Sequence, residues 1–302
     1  MRVFLAGASG AIGRRLVPLL VSTGHQVTGT TTTPTKIDQL ARLGADAVQL
    51  DLLDATATRR AVADAKPDVI VHQATALANL GKSSRNLGKA FAATNQLRTV
   101  GTKNLLDAAW DVGVGRFVAQ GFCAFGFARA PHLDSDAPAG LVAGRDAMRS
   151  LDDAVLERGG VVLSYGGFYG PGTSLSRDGE QTAMIRRRLL PIIGSGDTIV
   201  QFLHIDDAAT ATLAALTRGV GHYDVVDDEP VALREWVPAM ASMVGAKPPR
   251  HLPVWLAKLV GGDGVALMTV EAPATSNARA KADLRWKPAY PSWREGLAHE
   301  LS

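Results

Sequence analysis

The sequence predicts an α/β protein, a doubly wound parallel sheet followed by a smaller α+β lobe, and three observations carry that prediction. Short, fully apolar runs alternate with amphipathic helical segments through the first half of the chain. A glycine-rich turn follows the first of these runs at once. Beyond Ser164, glycines and prolines break the alternation. Fully apolar strands separated by helices belong to parallel sheets covered on both faces, and right-handed crossovers make such sheets doubly wound.

The elements follow in order. Val3 to Ala6 reads as a strand, and Ile12 to Ser22 as a helix with apolar residues at 12, 16, 19 and 20, ended by Gly24. Gln26 to Thr30 is the second strand, and after Pro34 a helix runs to Leu43 and Gly44. Ala47 to Leu50 is the third strand, Thr56 to Ala65 a helix, and Val69 to Val71 the fourth strand. A long helix from about Asn95 to Val112 precedes a fifth strand at Arg116 to Ala119. Ser150 to Arg158 continues a further helix, and Val161 to Ser164 is the sixth strand. Residues 1–165 are thus expected to form the sheet domain and 166–302 mainly the second lobe, with 200–226 returning to the sheet.

Composition excludes several classes. The chain has 302 residues, about two domains at ~150 residues each. Apolar residues make up 46% and charged residues 20%, as in an ordinary globular protein. The formal net charge is +3, too weak a field for a dedicated nucleic-acid binder, and the one basic run, Arg186 to Arg188, reads as a solvated helix face. Cys123 is the single cysteine, so no disulfide can form within the chain and a reducing, cytoplasmic setting is expected. Arg14 and Arg15 interrupt the apolar start too early for a signal peptide, and no run of ~18 apolar residues exists for a membrane span. No H-E-x-x-H, Cys/His cluster, G-x-S-x-G or P-loop lysine is present, so no metal site, hydrolase elbow or ATP hydrolysis is expected. Trp236, Trp255, Trp286 and Trp293 read as packing residues, or as the lining of an aromatic cleft.

Gly7-Ala8-Ser9-Gly10-Ala11-Ile12-Gly13 joins the first strand to the first helix. Glycines there let the backbone approach a pyrophosphate, which the free N–H groups and the positive end of the helix then bind. This strand–turn–helix context predicts a Rossmann-type dinucleotide site. An acid ~20 residues on usually binds the ribose 2′-hydroxyl of NAD. Here the second strand ends in Thr30 to Thr33, and the first carboxylate of the chain is Asp38. That absence, with Arg14 and Lys36 nearby, favours NADP, Thr31 and Thr32 donating to its 2′-phosphate; NAD remains the alternative.

Further motifs extend the pattern: Asp51-Leu52-Leu53-Asp54, Val71-His72-Gln73-Ala74, Asn95 with Gly101-Thr102-Lys103-Asn104-Leu105-Leu106, Tyr169-Gly170-Pro171-Gly172 and His204-Ile205-Asp206-Asp207-Ala208. Together with the glycine turn they resemble the NAD(P)-dependent epimerase/dehydratase family, the extended and atypical short-chain dehydrogenases/reductases, over nearly the whole chain. The resemblance implies that Gly7, Ser9, Gly10, Ala11, Ile12, Gly13 and Arg14 hold the diphosphate. It places Asp51 and Leu52 at the adenine, and Gln73, Ala74, Thr75 and Asn95 along the ribose–phosphate path. Tyr165 to Phe168, with Gly166 and Phe168 foremost, would border the nicotinamide. Asp206 or Asp207 is expected to cap a helix.

The family's usual chemistry needs a tyrosine, a lysine four residues later, and a serine or threonine after the fifth strand. Alignment puts Gly121 at the serine position, leaving a small hollow beside the nicotinamide. The tyrosine and lysine positions fall on Gly144 and Met148, or one residue on at Arg145 and Arg149. Substitute donors are then expected from the same edge: Gln120 after the fifth strand, Tyr165 after the sixth, and Tyr169. Cys123 reads as a small buried residue. The resulting expectation is an oxidoreductase acting on a small organic substrate without the usual triad. A non-redox cyclase, dehydratase or isomerase and a nucleotide-sensing regulator are the alternatives. The family often pairs through two helices of the sheet domain, so a homodimer is expected.

Overall fold

The structure, a computed structural model, describes residues 1–77, 86–124, 137–269 and 273–301. The chain begins β1 (Arg2–Ala6), α1 (Ala11–Ser22), β2 (Gln26–Thr31), α2 (Ile37–Arg42), β3 (Asp46–Gln49), α3 (Ala55–Ala65) and β4 (Val69–His72). It continues through α4 (Leu87–Gln96), a π-helical turn at Leu97–Gly101, α5 (Thr102–Asp111), β5 (Phe117–Phe122), α6 (Ala139–Leu156), β6 (Val161–Tyr165) and β7 (Gly167–Tyr169). Then come α7 (Glu180–Arg186), β8 (Ile192–Ile193), β9 (Ile199–Val200), β10 (Phe202–His204), α8 (Ile205–Ala215) and β11 (Gly221–Val225). The last part holds β12 (Val231–Ala232), α9 (Leu233–Met243), β13 (His251–Leu252), α10 (Val254–Gly261), a 3-10 turn at Gly262–Met268, α11 (Ala278–Asp283) and α12 (Trp293–Leu301).

Seven strands form one parallel sheet in the order β11-β6-β5-β4-β1-β2-β3. The order reverses direction at β1, so the crevice beyond its carboxyl end, between the β1 and β4 loops, is where such a sheet binds ligands. Alternate side chains along each strand face opposite layers. Val3, Leu5, Val71, Val118 and Leu163 pack with α1 and α8 on one face. Phe4, Ala6, Ile70, Ala119 and Val162 pack with α3, α5 and α6 on the other. A third core, built on Phe202, Trp236, Val237, Met240, Trp293 and Leu297, holds the lobe together.

Strand β5 runs three residues beyond the boundary read from sequence. Gln120, Gly121 and Phe122 pair in register with Leu163, Ser164 and Tyr165 of β6. Gly121 reads in sequence as the end of a strand, but it is glycine for lack of room: a Cβ there would lie 2.3 Å from Ser164 Oγ. The hollow expected beside it is filled by that serine.

Among the described residues, no helix is long and apolar enough to cross a membrane. No group of three or more potential ligands could hold a metal ion there either.

Candidate functional site

The glycine turn has the geometry of a phosphate cradle. Gly7 has φ +84°, a backbone conformation that costs other residues strain. A Cβ on it would meet Ala74 Cα at 2.6 Å, and one on Gly13 would meet the Ala8 carbonyl oxygen at 2.3 Å. The turn therefore packs directly against the loop after β4 on one side and against its own first helical turn on the other. Gly10 caps α1 with no side-chain hydrogen bond, which leaves the first amides of the helix without a side-chain acceptor.

The end of β2 braces this turn. Gly7 N–H donates to Thr30 Oγ1 (3.3 Å) and Ala8 N–H to the Thr30 carbonyl (3.0 Å). Ser9 and Thr31 share a hydroxyl hydrogen bond of 2.8 Å, and Thr31 also accepts from Thr33 N–H. Thr31 is buried and occupied by protein partners, so it is a brace for the turn, not the 2′-phosphate donor expected from sequence. Thr32 and Lys36 are exposed. Arg14 is exposed too, with Nη2 3.1 Å from where a Gly172 Cβ would stand, so it reaches toward the loop after β7.

Along the same edge, Asp51 is exposed and accepts from Leu53 N–H, and Leu52 is buried with its carbonyl held by Asn104 Nδ2 at 2.8 Å. Gln73, Ala74 and Thr75 follow β4 beside the turn. The Asn95 side-chain oxygen is buried without a hydrogen-bond partner. Gly166 sits too close to the Gln201 carbonyl to accept a side chain, and Phe168 packs at a tilt on Tyr165, ring centres 5.5 Å apart.

The three substitute donors do not assemble. Gln120 lies within β5, paired with Leu163, not beyond the strand. Tyr165 is fully buried, its hydroxyl bonded to Thr212 (2.7 Å) and receiving Gln73 Nε2 (3.1 Å), and burial pushes its pKa up to about 12. It ties β6 to α8 and is not a proton donor to a ligand. Tyr169 is buried in the lobe core, its hydroxyl against Gly296 of α12 and without a partner, and burial raises its pKa. A strand-end phenol reads as an edge group in sequence, but here α8 covers Tyr165 and the lobe core covers Tyr169.

Asp206 and Asp207 do not cap α8; His204 does, its Nδ1 accepting Asp206 N–H at 3.2 Å. Burial holds His204 neutral, lowering its pKa to about 4. Asp206 pairs with Arg15 of α1, and Asp207 accepts the Ala289 and Tyr290 amides. Asp206 thus ties α8 to α1 within the sheet domain, and Asp207 fastens the 289–290 segment to α8. Cys123 is buried and directs Sγ to the Ser164 carbonyl. Trp236 and Trp293 pack in the lobe core and Trp286 in the sheet core, while Trp255 is exposed.

Two of the α6 residues that the sequence aligns with the family's tyrosine and lysine, Gly144 and Met148, have an apolar setting. Gly144 backs onto the Phe91 ring, its absent Cβ 3.5 Å from Phe91 Cδ2. Met148 is buried in one cluster with Leu87, Phe91 and Leu141, Phe122 packing on its margin. Helix α6 contains neither tyrosine nor lysine. Arg145 is buried and contacts Asp146, and Arg149 is exposed. Sequence reasoning passes over Phe91 and Arg98, although Phe91, Asn95 and Arg98 recur at helical spacing and mark one face of α4 and the π turn. A cavity of about 300 Å³ lined by Met1, His25 and Thr210 lies at the opposite, amino edge of the sheet and is separate from this site.

Comparison with known proteins agrees with this architecture. The profile of the NAD dependent epimerase/dehydratase family matches residues 3–226. A 3-diazoavenalumate denitrifying reductase from Streptomyces sp is 39% identical over 314 aligned residues, covering 99% of this chain and 100% of the relative. A UDP-glucose 4-epimerase from Mycolicibacterium smegmatis is 27% identical over 99% of this chain and 96% of its own. The crystal structure of a Thermus thermophilus UDP-glucose 4-epimerase in complex with NAD superposes with a TM-score of 0.73 at 22% identity, covering 100% of this chain and 98% of that one.

Proposed function

The chain belongs to the NAD dependent epimerase/dehydratase family, and from that premise we propose that it is an NADP-dependent reductase acting on an electrophile whose reduction leaves no alkoxide to protonate, an aryl diazonium ion. One observation carries the reading. Of the two registers in which α6 aligns with the family pattern, 144/148 and 145/149, neither supplies a tyrosine and a lysine, and in the first Gly144 and Met148 both lie beside the buried Phe91.

Carbonyl reduction requires an acid within hydrogen-bond reach of the developing oxyanion. Reduction of a diazonium ion does not. NADPH, when bound, would supply a hydride; ArN2⁺ plus a hydride gives ArH and N2, balanced in atoms and charge with no proton added. Phe91 and Phe122, packed at the same cluster, suit a planar cation, since aromatic faces attract positive charge. The likeness to a denitrifying reductase over the whole chain supports the same class.

The cofactor fits the residues present. Gly7, Gly10 and Gly13 form a turn that side chains would fill, and the amides at the start of α1 would hold the diphosphate. Asp51 and Leu52 would flank the adenine, Ala74, Thr75 and Asn95 the ribose path, and Gly166 and Phe168 the nicotinamide. The absence of an acid at the end of β2, with Thr32 and Lys36 exposed there, supports NADP over NAD. Val100, Trp110 and Val112, exposed near the ends of α5, support pairing of two copies through that face.

The test is NADPH consumption with a panel of aryl diazonium carboxylates, aldehydes and quinones, with evolved N2 quantified from labelled diazonium. One N2 per NADPH is the expected result. Turnover of carbonyl compounds with none of the diazonium ions would overturn the reading.

A further inference from the structure

Two features of the lobe lie outside the candidate site: the basic run Arg186 to Arg188 and the exposed Trp255. The fold brings them together. Strand β13 pairs in parallel with β8, His251 beside Ile192 and Leu252 beside Ile193. Arg188 Nε donates to the Pro248 carbonyl at 2.9 Å. The end of α7 therefore lies alongside the segment that leads into α10.

Helix α10 turns its apolar side outward. Ala257, its one buried residue, packs with Ile193 and Val265. Away from that contact, Trp255 is 65% exposed, Leu259 70% and Val260 62%. Trp255 and Leu259 stand four residues apart and so share one helix face. Leu189, which follows the basic run, is exposed as well. Apolar residues scattered singly over a surface need no explanation, but a group of them on one short helix does.

The charge around this group has one sign. Residues 181–196 and 236–262 contain no acid and carry Arg186, Arg187, Arg188, Lys247, Arg250 and Lys258. All six are exposed except the half-buried Arg188, and none pairs with a carboxylate among the described residues. The acids at the borders are Glu180, Asp197, Glu235 and Asp263, and Asp197 and Glu235 both contact Arg234. The chain as a whole carries only +3, so its positive charge is concentrated on this face.

We infer that this face docks on the surface of an anionic lipid bilayer. Helix α10 lies in the plane of the interface, with Trp255, Leu259 and Val260 at the boundary of headgroups and acyl chains and the six cations on the lipid phosphates. This is a surface contact and not a span. Tryptophan and leucine beside lysine and arginine are the composition of interfacial helices, and anionic lipids attract clustered cations. Other occupants fit less well. A second copy would set six cations against six. A protein partner is met by shaped pockets with matched polar groups. At 62–70% exposure these three side chains project from the lobe and line no recess, which suits a fluid interface that closes around them.

The test is cosedimentation of the full-length protein with vesicles of phosphatidylcholine, alone and with ~30% phosphatidylglycerol. The wild type binds the anionic vesicles, binds the neutral ones at least ~10-fold more weakly, and leaves the anionic ones at ~0.5 M NaCl. Arg187→Gln, Arg250→Gln and Lys258→Gln together lower the partition coefficient ~100-fold, as roughly fivefold per cation near such a surface predicts. Trp255→Ser with Leu259→Ser lowers it ~30-fold, as loss of the partial burial of two large apolar side chains predicts. All five side chains are exposed, thermal melting checks the fold of each variant, and either variant decides the matter if the other does not fold. No vesicle binding by the wild type, equal binding to neutral vesicles, or variants that bind as the wild type does overturns the inference. Two parallel arms identify the rival occupants. A dimer lost in the serine variant, or polyglutamate binding lost in the glutamine variant, with no vesicle binding in either case, overturns the inference in favour of a second copy or an acidic protein.

Discussion

Replacing Gly13 by alanine tests the phosphate cradle. The new Cβ would lie 2.3 Å from the Ala8 carbonyl oxygen and 2.5 Å from its carbon, both backbone atoms that no rotamer change can clear. Restoring an ordinary contact of ~3.4 Å requires the turn and the first turn of α1 to separate by about 1 Å, a strain typical of overpacking. A shift of that size breaks or badly bends one amide-to-phosphate hydrogen bond, worth ~1.5–3 kcal/mol to a charged acceptor. At 1.4 kcal/mol per tenfold, the Kd for NADPH rises by ~10- to ~150-fold. Gly24→Ala is the control. Gly24 has φ +83° with nothing within 4 Å of a Cβ, so it carries only backbone strain, ~1–2 kcal/mol. Fluorescence titration of NADPH, with thermal melting of each variant, separates binding from stability. Unchanged affinity in Gly13→Ala, or equal loss in Gly24→Ala, would refute the reasoning.

Three further outcomes are expected. Tyr165→Phe removes the hydrogen bonds to Thr212 and Gln73, lowering stability by ~1 kcal/mol in denaturant melts, and leaves kcat within ~twofold because the phenol is buried away from the ligand. Burial opposes charge on His222, but Asp152 and Asp224 outweigh it and hold its pKa up at about 9. The stability from this cluster is therefore complete below pH 6.5 and is lost as pH rises through 9. A Tm that falls across that window in the wild type and stays flat in His222→Gln checks the assignment. Trp293→Ala empties a fully buried site in the lobe core and costs ~3–5 kcal/mol, read as a lowered unfolding midpoint.

Local chemistry makes the sheet legible. The run Val3 to Ala6, the glycine turn and the following amphipathic helix each announce themselves within a dozen residues. The end of β5 is hidden because Gly121 serves Ser164, a residue 43 positions later in the chain that only the folded sheet brings alongside. Tyr165 and Tyr169 mislead for a related reason. Their place at strand ends is local, but their burial depends on α8 and α12, which arrive much later. Thr31 reads as a ligand contact because its hydroxyl has no evident partner in sequence; Ser9, across the turn, is that partner.

The most direct measurement of the account is a turnover of an aryl diazonium carboxylate with NADPH deuterated at both C4 positions, the product analysed by mass spectrometry. The proposed reaction predicts one deuterium on the ring carbon that carried nitrogen, in ordinary water, with N2 released in equal amount. A product whose new hydrogen comes from solvent, or one that retains its nitrogen, would contradict it.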